Sequence, residues 1–399
     1  MMSDRTPRLR AIAVICVAAA LPWLAARAAG DSGNGVIKVG FINAMSGPNA
    51  ALGLPQDRGL KVAHSLWPVI NGHEVEVITL DDASDPAASE RDARKLVNQD
   101  KVDILIGTVG VPNVMALAAL ASETHTPHIS PDPPAHAETD SATQWSVTIE
   151  QPFSLMVGAV ARQMKKDGVK TVAYIGFSDA LGDLAHRDLV ESGKQLGFKV
   201  LDDERYARSD TSVDGQVLRM MALHPDAVFG GNSGSAGALP FLALKKFGYK
   251  GRVYDEHGVI NDAFVKVVGA AGNGLVAPTG PSVVAEQLPK DDPIRPVALK
   301  FLTAYRDMFH AEPTGLFESY GYDAYRLFAK AAETVSVPPG TAAYREALRG
   351  AILSTHGLVQ TNGILSFKPG DFYGYSGAGA DQHAVVVVRL QGGKWQLVQ

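Results

Sequence analysis

Short β-rich runs alternate with helical patterns along this chain, and the alternation runs through two successive blocks. That rhythm limits the fold more than any single motif does. Strands separated by helical crossovers pair in parallel, and a parallel sheet needs both faces covered. In the first block, residues 36–45 (VIKVGFINAM), 73–82 (HEVEVITLDD), 102–107 (VDILIG) and 127–130 read as strands. Helical patterns cover 55–66 and 114–122, and a third opens at Asp85-Pro86, where Asp suits the N-cap and Pro the first turn. That third helix carries Ala93, Leu96 and Val97 on one face.

The second block repeats the pattern. Residues 171–177, 198–206, 227–231, 252–255 and 275–278 read as strands, with helices predicted over 183–196, 215–223 and 238–247. A third section breaks the rhythm. Helical patterns at 293–309, 317–334 and 341–354 follow one another with no parallel strand between them. The chain then turns to β structure at 363–367, 383–390 and 394–398, the last two flanking a hairpin turn at Gln391-Gly392-Gly393. The order predicts an α/β protein of two lobes with parallel central sheets. The first lobe takes 36–149 and 281–360, and the second takes 150–280 and 361–399. The lobes are joined by a three-strand hinge with crossings near Glu150, Gly280 and Gln360.

The first 28 residues stand apart. Arg5, Arg8 and Arg10 precede an apolar run from Ala11 to Ala26, broken by Pro22, and Ala26-Arg27-Ala28 follows. This is the layout of a secretory signal peptide, cleaved near Ala28, and the run is shorter than a spanning helix needs. Its loss takes away four arginines and Asp4, moving the net charge from −5 to −8, and it takes away Cys16, the single cysteine. The exported chain then has no disulfide and no cysteine nucleophile. No run of Lys or Arg marks a nucleic-acid surface.

Several segments then match a known pattern in order. Met45-Ser46-Gly47-Pro48-Asn49-Ala50-Ala51-Leu52-Gly53 resembles the first binding loop of the branched-chain amino-acid binding protein family. Asp81-Asp82 with Asp85-Pro86, residues 102–108, His128-Ile129-Ser130-Pro131 and residues 225–229 are similar to that family in the same sequence. The resemblance covers essentially the whole chain after the leader. It implies the type I periplasmic binding protein fold, with two Rossmann-like lobes and a ligand held in the cleft by loops at the carboxyl ends of strands, as is general for open α/β sheets. The loop positions so implied are Leu52, Val109, Gly110, Val111, Pro112, Asn113, Pro131, Asp132, Pro133, Leu181, Asn232, Ser233, Glu256 and His257. Val111, Pro112 and Asn113 should start a helix whose N-terminus cradles an anion.

The departures narrow the ligand. Amino-acid binders of the family carry hydroxyls where this chain has Val111 and Pro134, and aromatics where it has Leu181 and Asn232. The stretch Thr355-His356-Gly357, residues 363–367 and Asp371-Phe372 resembles members that bind aromatic or other organic acids. The expected ligand is therefore a small carboxylate: an organic or aromatic acid, or an amino acid. Glu256 and His257 suit either a cation or a carboxylate, depending on which side chain points inward.

Other motifs have plainer explanations. Asp81, Asp82 and Asp85 fit a strand end and an N-cap better than a metal site. His125, His128 and His136 match no compact zinc spacing. Gly231-Asn232-Ser233-Gly234-Ser235 is not a nucleophile elbow, since Ser235 stands where the second Gly belongs. Gly269 to Gly274 (GAAGNG) lacks the dinucleotide fingerprint. Tyr322 and Tyr325 share a helix face and read as core. The expectation is a monomeric periplasmic receptor that takes no cofactor or metal and is not an enzyme, delivering its ligand to ABC permease and ATPase subunits. The alternative is a ligand sensor that signals to a membrane receptor or kinase.

Overall fold

Two sheets organise the chain in a computed structural model that describes residues 35–132, 145–368, 374–375 and 382–398. The first sheet holds β1 (Ile37–Asn43), β2 (Val69–Ile70), β3 (His73–Asp81), β4 (Ile104–Gly107), β5 (His128–Ser130) and β6 (Ser146–Thr148) in the order β2-β3-β1-β4-β5-β6. All its pairs are parallel except β2 with β3. Ile37, Val39 and Phe41 are buried on one of its faces and Ile42 and Leu105 on the other, as a sheet covered on both sides requires. Helices α1 (Ala50–Leu66), α2 (Pro86–Lys95) and α3 (Val111–Thr124) connect its strands. Asp85 caps α2 as its sequence predicts, accepting from the N–H groups of Ala87 and Ala88.

The chain then passes into α4 (Phe153–Lys166) and the second sheet. Its strands are β7 (Thr171–Phe177), β8 (Lys199–Val200), β9 (Glu204–Tyr206), β10 (Ala227–Gly231), β11 (Arg252–Asp255) and β12 (Val276–Thr279). Helices α5 (Ala180–Leu196), α6 (Asp214–Ala222), α7 (Ala238–Lys246) and α8 (Asp262–Val268) lie between them. The single strand expected over 198–206 is two short ones. Asp202 interrupts it by turning its carboxylate onto the N–H of Tyr174 at 2.8 Å.

Helices α9 (Arg295–Phe309), α10 (Phe317–Ala332) and α11 (Ala342–Leu353) follow. Helix α10 lies against α1 of the first block so closely that their backbones touch. A Cβ on Gly59 would meet Glu318 O at 1.7 Å, and one on Gly321 would meet Gln56 O at 2.0 Å. A small hairpin, β13 (Leu358–Gln360) and β14 (Gly363–Leu365), then leads back to the second sheet. There β15 (Val386–Gln391) joins β12 antiparallel, and β16 (Lys394–Leu397) completes the hairpin predicted around Gly392-Gly393.

The chain thus passes between the sheets at residues 149–152, after Thr279, and beyond Gln360. Hydrogen bonds tie these three passages together. Gln151 Nε2 donates to Asn362 O at 3.2 Å and to Ala384 O at 2.5 Å. Asn362 Nδ2 donates to Ser319 Oγ at 2.8 Å, which also accepts from Ser282 Oγ at 2.9 Å. Tyr320 OH donates to Gln151 Oε1 at 2.8 Å. All these groups are buried, so each bond satisfies atoms that water does not reach.

Candidate binding site

Both sheets present the carboxyl ends of their strands to one small cavity. From the first-sheet side come Leu52 near the start of α1, Val111 at the start of α3 and Phe317 at the start of α10, with Asp132 just beyond β5. From the second come Phe153 at the start of α4, Leu181 in the first turn of α5, Ser233 after β10, and Glu256, His257 and Gly258 after β11. Glu150, on the first passage between the sheets, completes the wall. The space left open is about 20 Å³, room for about one water molecule.

The wall has an apolar part and a titratable part. Leu52, Val111, Phe153, Leu181 and Phe317 form the first. In the second, His257 stands between two carboxylates: Nε2 contacts Glu150 Oε1, and Nδ1 lies 2.9 Å from Glu256 Oε2. Phe153 packs edge-on against the imidazole, with ring centroids 5.2 Å apart. Glu256 also caps the short turn His257–Val259, accepting from Gly258 N at 2.9 Å. Burial favours the neutral imidazole, but the charges of Glu150 and Glu256 overcome it and hold His257 well above its ordinary range. Burial pushes Glu150 up to about 8 against the pull of His257. Asp132 is also raised by burial, which outweighs its hydrogen bond from Gly110 N at 2.6 Å. Asp255, behind Glu256, is raised well above the usual carboxylate range by burial and by the Glu256 charge.

Seven of the residues implied from sequence meet at this cavity: Leu52, Val111, Asp132, Leu181, Ser233, Glu256 and His257. Others of that set lie behind the wall. Asn113 turns into the first block, where Nδ2 donates to Asp82 Oδ2 at 3.2 Å and Ser89 Oγ at 2.9 Å. Asn232 directs its amide nitrogen to Gly237 O at 3.2 Å and Asp255 Oδ2 at 3.1 Å. Val109, Gly110, Pro112 and Pro131 shape the turns but do not line the space. Pro133, with Pro134, His136, Asp371 and Phe372, lies outside the described residues. The anion cradle expected at the start of α3 is corrected in one respect. The chain's own Asp132 carboxylate takes Gly110 N, and the N–H of Asn113 is bonded to Gly110 O at 3.0 Å.

Sequence reasoning missed Glu150, Phe153, Gly258 and Phe317 as wall residues. Glu150 carried a signal: a carboxylate at a passage between two lobes faces both of them. Phe317 looked like an ordinary first residue of a helix, and the helix that Phe153 opens was itself not read from the sequence. Of the remaining motifs, Asp81 and Asp82 serve as acceptors for their own loops, with Ser46 Oγ on Asp81 at 2.7 Å and Thr108 Oγ1 on Asp82 at 2.6 Å. His128 is buried between Ser146 and Gly107, and burial lowers it to about 4. Tyr320, Tyr322 and Tyr325 are buried in the core. Among the described residues, no group of three or more His, Cys, Asp and Glu is arranged to hold a metal ion, and no helix is long and apolar enough to cross a membrane.

Comparison with known proteins agrees with this architecture. Residues 36–394 match the family described as periplasmic binding protein. The protein Rp1789 of Rhodopseudomonas palustris is 34% identical and superposes with a TM-score of 0.84, covering 91% of this chain and all of that one. A leucine-, isoleucine-, valine-, threonine- and alanine-binding protein of Pseudomonas aeruginosa is 24% identical over 306 residues, 74% of this chain and 78% of the relative. A solute-binding protein of an ABC transporter from R. palustris, solved in complex with benzoate, has the same fold at 22% identity and a TM-score of 0.76, covering 91% of this chain and 96% of that one. Two sheets meeting at one cavity, together with a family match over nearly the whole described body, show that the chain belongs to the periplasmic binding proteins and has their type I fold.

Proposed function

We propose that this protein is the exported substrate-binding component of an ABC importer and that it encloses a small carboxylate with an apolar or aromatic body. The observation that carries this reading is a cavity walled jointly by loops at the carboxyl ends of the strands of both sheets. A ligand there touches both lobes and is enclosed when they close, the hinge motion of this class of fold. The lobes are 36–149 with 281–360 and 150–280 with 361–399, preceded by a leader removed near Ala28. A cavity of about 20 Å³ is far smaller than a benzoate ion, so the lobes part to admit the ligand.

The wall supports the ligand class. Five apolar side chains, two of them phenyl rings, suit a hydrocarbon or aromatic body. Burial raises Glu150 and the neighbouring carboxylates raise His257, so this end of the wall holds protons more tightly than free side chains do and offers donors as well as acceptors. The ligands named for two relatives, amino acids in one and benzoate in the other, all carry a carboxylate. Nothing about the wall requires bond making or breaking, and the role is capture and delivery to permease and ATPase subunits.

A thermal-shift screen of the ligand-stripped protein tests this. The panel holds benzoate, phenylpropanoid acids, aliphatic and keto acids, and the common amino acids. A ligand at a hundredfold excess over its dissociation constant stabilises the fold by about 2.7 kcal/mol. A clear shift with organic acids is expected. Shifts with leucine or valine alone would overturn the organic-acid reading, and a folded protein that responds to no member of the panel would contradict uptake of this class.

A further inference from the structure

One guanidinium joins segments on the two sides of the cavity. Arg208 sits in the turn after β9, at the carboxyl edge of the second sheet, stacked on the ring of Phe177 with its guanidinium carbon 4.2 Å from the centroid. Its Nε donates to Asp179 Oδ2 at 2.7 Å, and its Nη1 donates to Ser233 Oγ at 3.1 Å. Both partners belong to the second block. Asp179 caps α5, which carries Leu181, and Ser233 is itself part of the wall. The same Nη1 reaches across to Asn49 Oδ1 at 3.2 Å. Asn49 precedes α1, which carries Leu52, and its own Nδ2 lies 3.5 Å from Val109 O, at the turn into α3. Arg208 therefore joins segments that hold wall residues on both sides of the cavity, while the wall itself contains no Lys or Arg among the described residues.

We propose that Arg208 is a positioning residue that latches the closed cleft by bridging Asn49 of the first lobe to Asp179 and Ser233 of the second. The planar fork holds several acceptors at fixed angles, which a lysine ammonium does not reproduce. Three of the four contacts, to Phe177, Asp179 and Ser233, lie within one lobe and survive opening. Only the bond to Asn49 depends on closure, so Arg208 is held ready in the open form and adds its grip when the lobes meet. Asn49 makes no side-chain cap bond to α1, so replacing it removes the far half of the latch without removing a helix cap. This inference rests on the two-lobe reading above but not on the identity of the ligand.

The test is the distance between the lobes. Spin labels at Arg91→Cys on α2 and Leu218→Cys on α6, both exposed, placed in the exported chain that lacks the leader and its Cys16, report that distance by pulsed electron resonance. In ligand-free protein, Arg208→Ala and Asn49→Ala should each lower the closed-to-open ratio by about tenfold, the size of one charge-assisted hydrogen bond. The double variant should add little, because both changes remove the same contact. Arg208→Lys should recover only part of the ratio. For any acid that binds in the thermal-shift panel, both variants should release it about tenfold faster with the association rate nearly unchanged. Unchanged distance distributions in Arg208→Ala and Asn49→Ala, with folding intact by circular dichroism, would overturn the latch whether or not a ligand has been found. A lower melting temperature in Arg208→Ala with no change in distance would assign the residue to lobe packing alone. If Arg208→Ala does not fold, Asn49→Ala decides the matter by itself.

Discussion

At the scale of residues, the cavity concentrates groups whose protonation differs between folded and unfolded chain, and this makes stability depend on pH in a definite direction. Glu150 holds its proton up to about pH 8 in the fold, against an ordinary value of 4.5. Between those values the native state binds more protons than the unfolded state, so stability falls as pH rises. His257, held above its ordinary value of 6.5, adds a loss of the same sign at higher pH. His128 acts oppositely. It is neutral in the fold down to about pH 4, so the unfolded chain takes up the extra proton below 6.5 and stability is lost as pH falls toward 4. Each proton contributes at most about 1.4 kcal/mol per pH unit. Between about pH 4.5 and 6.5 these two slopes oppose each other and nearly cancel, so thermal unfolding across pH 4 to 9 should show a plateau on the acid side and a fall from about pH 6.5 toward 8. Glu150→Gln should lessen that fall, and His128→Asn should turn the plateau into a decline with rising pH. Identical profiles for Glu150→Gln and wild type would show that Glu150 titrates normally.

The residue scale also shows what sequence conveys. Glu256 and His257 were legible as cavity-lining residues because they follow a strand at the carboxyl edge, but their pairing with Glu150 was not. That pairing joins residues more than a hundred positions apart and exists only once the two sheets face each other. Asn113 and Asn232 sit at the expected element ends, and in this structure their side chains bond to the protein behind the cavity wall. A polar side chain at a helix start or strand end serves its own loop as readily as a ligand, and the bonds to Asp82 and Asp255 decide between those uses.

At the scale of elements, periodicity located most strands and helices and misjudged their ends. Helix α1 begins at Ala50, ahead of the expected 55, because Pro55 is accommodated inside its first two turns. Helices α4 and α8 went unread, the first because it follows a proline without a capping side chain, the second because it has only seven residues. What periodicity does not convey is how near two helices come. Gly59 and Gly321 exist at the crossing of α1 and α10 because a Cβ on either would strike the opposite backbone. Gly59→Ala and Gly321→Ala should each destabilise the protein by about 1–3 kcal/mol through overpacking, read as a lower urea midpoint. Alanine at Gly350, which sits inside α11 with open space around it, should not lower the midpoint and should raise it slightly.

At the scale of the whole molecule, the order of elements carries the function. Two α/β blocks and a helical return place the carboxyl ends of two sheets face to face, and three hydrogen-bonded passages connect them. The cavity draws its wall from both blocks: Leu52, Val111 and Phe317 stand on one side, and Leu181, Ser233 and His257 on the other. The central claim is that both jaws hold one small ligand, and it is tested most directly by binding to variants of each. Leu52→Gln and Leu181→Gln should each abolish or greatly weaken calorimetric binding of an acid identified in the panel, while Leu242→Gln, at an exposed position on α7, should leave it unchanged. Binding that survives both cavity variants in folded protein would place the ligand elsewhere and contradict the account.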